Sequence, residues 1–229
     1  MDMMVEAGFD TVFIGIETPN EESLIECNKQ QNRNRDLLES VKIMQHSGLQ
    51  VQGGFIVGFD NDTPSIFQRQ IEFIQKSGIV TAMVGILNAP PGTRLYERMK
   101  KEGRLIGLFS GDNVDGTTNI SPKMGLDTLR EGYRNMIQHL YSPRNYYKRA
   151  MTFLREYEMP KKRIHLDFQR LIAAFRSSIR LGLFGKERFQ YWKILFWTLF
   201  CRPRLVPLAI TFAIYGHHFR KISKLSNIS

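Results

Sequence analysis

The chain has 229 residues, 42% hydrophobic and 24% charged, a composition that can bury a core and that argues against disorder. Its two cysteines, Cys27 and Cys201, are too few and too far apart for a disulfide framework, a cysteine-rich zinc site or an all-cysteine cluster. The net charge of +10 is regional: residues 1–130 carry 13 Lys or Arg against 17 Asp or Glu, a balance of −4, and residues 131–229 carry 19 against 5, a balance of +14.

In chain order, Met1 to Gly8 reads as the last turns of a helix stopped by glycine. Thr11 to Glu17 (TVFIGIE) is β-branched and aromatic without a helical stripe and reads as a buried strand. After a polar connection, Leu37, Val41 and Met44 stripe a helix predicted over 33–47, with Gly48 as its stop. The pattern repeats: Val51 to Gly58 is a second strand, and Phe67, Ile71 and Ile74 stripe a helix entered at Pro64 and closed by Gly78. Val80 to Leu87 is a third strand, which leads through Asn88-Ala89-Pro90-Pro91-Gly92-Thr93 into a short helix ending near Gly103.

Strands in alternation with helices imply a parallel sheet covered by helices, and continuously apolar strands fit burial on both faces. The fold class is therefore α/β. Three units cannot close a parallel barrel, which takes about eight strands. With the helix end at Met1, the chain is expected to be the second part of a parallel (βα) partial TIM-type barrel whose first strands lie upstream; a small three-stranded sheet is the alternative.

Beyond Ile106 the strand signals stop. Leu126, Leu129, Tyr133, Met136, Ile137 and Leu140 stripe one helix, and Tyr146, Ala150, Phe153 and Tyr157 stripe a second that opens at Ser142-Pro143. Ile164, Phe168, Leu171, Phe175, Ile179 and Leu183 stripe a third. The expected division is βα units over 1–105, a connecting loop over 106–125, and a basic, aromatic-rich, all-helical region over 126–229. Ile194 to Cys201 and Leu205 to Tyr215 flank the basic turn Arg202-Pro203-Arg204, and both are too short for the roughly 20 apolar residues of a membrane span. They read as core helices or, alternatively, as a peripheral membrane contact through 186–225 with basic side chains toward anionic headgroups. No leader pattern opens the chain, so the expected location is cytoplasmic, with membrane association as the variant.

In parallel α/β architectures ligands gather at the carboxyl ends of strands. Glu17 stands there as a hydrogen-bond acceptor or, equally, as a loop or cap residue. Gly53, Gly54 and Gly58 suggest close approach of another group to the backbone, with a bulge or tight helix contact as the plainer reading. Asp60 and Asp62 look like an acidic metal loop, but Thr63-Pro64 opens a helix, so capping by Asp62 or Thr63 is expected. The five histidines show no metal spacing, and no metal ligands are assigned. Phosphate-loop, dinucleotide and Ser-His-Asp patterns are absent, and nucleic acid is not favoured as a partner.

Together, GGFIVGFDNDT resembles the fifth-strand GxIxGxxE segment of radical S-adenosylmethionine enzymes, Phe13 to Thr18 their fourth strand, and Leu87 to Tyr96 their sixth strand and its exit. The likeness is to the C-terminal part of the cobalamin-binding group with a helical extension, similar to the hopanoid methylases. It implies that Glu17 contacts the ribose or methionine part of S-adenosylmethionine and that Gly54 and Gly58 permit its approach. Ile56 would pack on adenine, and the Leu87-Asn88-Ala89 backbone would border the adenine edge. Asn61 stands where the family has glutamate. The CxxxCxxC loop of a four-iron four-sulfur cluster is not in this sequence, and neither Cys27 nor Cys201 replaces it. The resemblance therefore places the cluster, which yields a 5′-deoxyadenosyl radical, and cobalamin, which can deliver a methyl group, in an upstream part. It implies modification, by methylation for example, of an apolar or lipid-like small molecule, and inactivity of this chain alone. A non-catalytic accessory or membrane-contact protein that retains half a barrel is the alternative.

Overall fold

The computed structural model describes residues 1–111, 115–160 and 175–225, with side chains as far as residue 222. A short helix α1 (Asp2–Glu6) leads to strand β1 (Thr11–Glu17). Helix α2 (Glu21–Glu26), a tight turn at Gln30–Asn32 and helix α3 (Leu37–His46) follow, then β2 (Gln50–Val57), α4 (Ser65–Ser77), β3 (Ala82–Ile86) and α5 (Arg94–Lys101). The three strands are parallel in the order β1-β2-β3, with Gly15 opposite Gly54 and Gly54 opposite Met83.

One helix start differs from expectation. Helix α3 starts at Leu37, not near residue 33, because the Asp36 carboxylate accepts the Glu39 N–H at 2.9 Å and fixes the first turn there. The preceding connection is not wholly irregular: α2 buries Ser23 and Leu24, but six residues are too few to show a stripe. Helix α4 begins after Pro64 and ends at Gly78, whose φ of +69° is the left-handed stop.

The sheet has two unlike faces. Val51, Gly53, Phe55 and Val57 of β2 are buried under α3 and α4, while Gln52, Gly54 and Ile56 alternate onto the other side. On that second face Phe13 of β1 is 60% exposed and Met83 of β3 is 43% exposed.

The second half is helical: α6 (Leu126–Tyr141), α7 (Pro143–Glu156), α8 (Arg188–Cys201) and α9 (Val206–Leu225), with a π-type run at Ser178–Leu183. The predicted positions Ile164, Phe168 and Leu171 lie outside the described residues. Helix α6 lies along the outer edge of β3. Tyr133 Oη donates to the Val84 carbonyl at 3.0 Å and Tyr141 Oη to the Ala82 carbonyl at 2.5 Å, so two rungs of the sheet edge are partnered by side chains. Helix α7 carries Arg149, fully buried, which donates to Gln75 of α4 at 3.1 Å and to the carbonyls of Leu140 at 3.0 Å and Val80 at 3.3 Å. One continuous apolar cluster runs from Ile16, Val51 and Val57 through Leu129 and Phe153 to Tyr191 and Phe212, joining the sheet to the helices. Among the described residues no helix is long and apolar enough to cross a membrane.

Candidate functional site at the strand ends

Strand β1 ends in a bulge between Gly15 and Glu17. There Glu17 adopts φ +65°, a left-handed conformation that costs a non-glycine residue energy. The turn is tight, with the Thr18 N–H bonded to the Ile16 carbonyl at 2.9 Å. A bulge re-aims a side chain, and here the Glu17 carboxylate folds back over Gly15: a Cβ on Gly15 would meet Glu17 Oε1 at 2.6 Å. Lys29 Nζ closes on the same carboxylate at 2.9 Å, and Asn32 donates to the Gly15 and Ile16 carbonyls at 3.1 and 3.2 Å. Glu17, Gly54 and Ile56 are thus brought together on the open face of the sheet. A Cβ on Gly54 would touch only Phe13 Cζ at 2.9 Å and, farther off, backbone.

The remaining expected residues sit differently. Gly58 turns at φ +101°, and its nearest neighbour is Leu129 of α6, at 3.0 Å from a Cβ built there. The Leu87-Asn88-Ala89 backbone is engaged by the returning loop. Thr118 Oγ1 donates to the Leu87 carbonyl at 2.7 Å, while Asn119 accepts the Ala89 N–H and donates to the Ala89 carbonyl, both at 2.8 Å. That loop is placed by an antiparallel bridge between Leu105 and Ile120.

Between these points lies a charged knot. Asp60 meets Arg104 at 2.6 Å, Arg98 at 3.4 Å and Lys123 at 3.7 Å, and Arg98 also meets Glu26 at 3.0 Å. The hydrogen bond from Arg104 leads in holding the Asp60 carboxyl below the usual range. Asn61 binds Glu26 through its N–H and its side-chain amide, at 3.3 and 3.1 Å. Asp62 does not cap α4 as expected, and Thr63 bonds Ser65 instead. The Asp62 carboxylate turns back to accept the N–H groups of Gly58 at 2.9 Å and Phe59 at 3.1 Å and the Ser23 hydroxyl at 2.8 Å. Proline 64 occupies the cap position, and the donors left by the exit of β2 are the nearer demand.

Among the described residues no group of three His, Cys, Asp or Glu could hold a metal ion. Cys27 and Cys201 are both free, and burial raises the Cys27 thiol pKa. These residues do not fit an iron–sulfur cluster. Sequence reasoning missed Lys29, Asn32 and Arg98, single polar residues in stretches without periodicity.

Residues 93–228 match a family described as a domain of unknown function, DUF4070. The chain belongs to that family. It is also 34% identical over 224 residues to an uncharacterized methyltransferase of Synechocystis, an alignment covering 96% of this chain and 42% of the relative. A hopanoid C-2 methylase of Rhodopseudomonas palustris is 28% identical over 201 residues, 84% of this chain and 37% of that protein. A bacteriochlorophyllide d C-12(1)-methyltransferase of Chlorobaculum tepidum is 29% identical over 137 residues, 59% and 29%. The chain spans less than half the length of each of these relatives. These relatives are named methyltransferases or a methylase, in line with the resemblance to the C-terminal part of cobalamin-binding radical S-adenosylmethionine enzymes.

Proposed function

We propose that the open face of β1–β3 binds S-adenosylmethionine for methylation of an apolar or lipid-like small molecule. The observation that carries this reading is the strained turn at Glu17, which sets a carboxylate beside the bare backbone of Gly15 and Gly54. The Phe13 ring over Gly54 is largely exposed and can swing aside to let a flat ligand lie against the strands, and the carboxylate can accept hydrogen bonds from ribose hydroxyls or an ammonium group. Lys29 orients that carboxylate, Ile56 offers an apolar surface to adenine, and Leu87 to Ala89 border its edge. Gly58 admits Leu129, whose side chain excludes water from this end of the sheet. When bound, S-adenosylmethionine would supply the 5′-deoxyadenosyl radical that activates the substrate, and cobalamin in another protein part the methyl group; the residues of this chain hold S-adenosylmethionine in place. In this reading the iron–sulfur cluster and cobalamin are held by other protein parts, and the chain alone does not turn over. The division into 1–105, 106–125 and 126–229 then separates cofactor-facing units, a connecting loop and a helical buttress.

The test is calorimetric titration of the chain with S-adenosylmethionine beside its Gly54→Val variant. Phe13 is exposed and can swing away, so the variant is expected to keep the wild-type melting temperature and to bind at least tenfold more weakly. Absence of binding to the wild-type chain, or equal binding by both, overturns the proposal.

A further inference from the structure

Helix α8 buries Tyr191, Ile194 and Thr198 against the rest of the molecule. Its opposite side presents Phe189, Phe196 and Phe200, at i, i+7 and i+11, which are 75%, 49% and 81% exposed, with exposed Lys193 among them. Single exposed apolar residues are ordinary, but three phenylalanines on one outward stripe are not. Trp192 stacks on Phe196 at 5.3 Å and broadens the stripe, and Phe184, in the turn before the helix, is 84% exposed.

The charge of the sequence that carries this stripe is almost wholly of one sign. From Phe175 to Leu225 the sequence has ten Lys or Arg and a single carboxylate, Glu187. Glu187 is 5% exposed and is held by Arg220 and by His217, so it adds no negative charge to the surface. Lysine is depleted in protein interfaces, so the exposed Lys193 within the stripe favours an anionic surface over a protein partner, and a convex helix face offers no groove for a nucleic-acid backbone. Outward aromatic rings in a field of cations match an anionic bilayer surface, where rings enter the acyl boundary and cations meet headgroup phosphates.

We propose that the Phe189–Phe196–Phe200 face of α8 docks this protein peripherally on anionic membranes. The inference is independent of the S-adenosylmethionine reading, since it concerns another face and is tested without that ligand. Sedimentation with vesicles of phosphatidylcholine containing one third phosphatidylglycerol is expected to carry the chain down, and pure phosphatidylcholine vesicles to leave at least tenfold more of it in solution. The Phe196→Ser/Phe200→Ser variant should keep the melting temperature and lose at least tenfold in binding; Lys193→Glu should lose several-fold. Failure to bind anionic vesicles overturns the proposal, as does equal binding by wild type and double variant. Self-association abolished by the same double variant, without vesicle binding, would assign the face to a second copy and overturn it as well.

Discussion

Asp60 and Asp62 are two residues apart, yet their environments move them in opposite directions. Asp60 is held below its ordinary value by the Arg104 hydrogen bond and nearby cations, whereas burial pushes Asp62 up in spite of its three donors. The linkage signs follow. A carboxyl lowered in the folded state stabilises fully above its unfolded value of about 3.9 and loses that contribution as pH falls through its folded value. A raised one contributes most below the unfolded value and loses its contribution as pH rises through the folded value. Between about pH 6 and pH 3, Asp60→Asn is therefore expected to flatten the acid loss of stability and Asp62→Asn to steepen it, read by urea unfolding across that range. Like slopes in both variants would contradict these environments. At neutral pH, Asp62→Ala strands the Gly58 and Phe59 N–H groups and should cost about 2 kcal/mol, because buried donors lose their acceptor. Asparagine retains an oxygen for both and should cost less than about 1 kcal/mol. The role of Asp62 was not legible in sequence, since D-x-P before an apolar stripe reads as a forward cap. Its actual partners lie upstream and in Ser23, a contact 39 positions away.

At the scale of elements, the three strands and the helices α4, α6 and α7 were legible because each has a period and a punctuation mark: β-branched runs, apolar stripes, Gly78, Pro143. What lay beyond reach was how α6 meets the sheet. Tyr133 looks like a member of an apolar stripe and Tyr141 lies just past its last member; both rings do pack in the core, but their hydroxyls reach the free edge of β3. Glu17 was legible as a carboxylate behind a strand; its left-handed turn and its Lys29 partner depend on a bulge that no periodicity announces. The edge contacts predict that Tyr141→Phe, which keeps the ring and removes one buried hydrogen bond, destabilises by about 1 kcal/mol. Thermal unfolding checks the cost, and amide exchange in β3 should quicken at the same time. A variant as stable as wild type, with unchanged exchange, would show that the edge does not depend on this hydroxyl.

At the scale of the molecule, the charge asymmetry of the sequence suggests two independent parts, but packing couples them. The shared core crosses from β2 through α4 and α7 to α9, and Arg149 ties α7 to Gln75 of α4, the end of α6 and Val80. Exposing any one of these elements leaves apolar surface and buried carbonyls of the others without partners, which favours a single cooperative transition. The sequence provides two separate reporters. Both tryptophans, Trp192 and Trp197, lie in α8, while Cys27 lies beside β1 and is partly buried. Tryptophan fluorescence thus follows the helical half, and thiol labelling of Cys27 in a Cys201→Ser background follows the sheet. Because the halves share one core, the two urea midpoints are expected to coincide within error. A fluorescence transition completed before Cys27 becomes reactive would mean that the helices peel away first and that the shared core is not what holds the sheet.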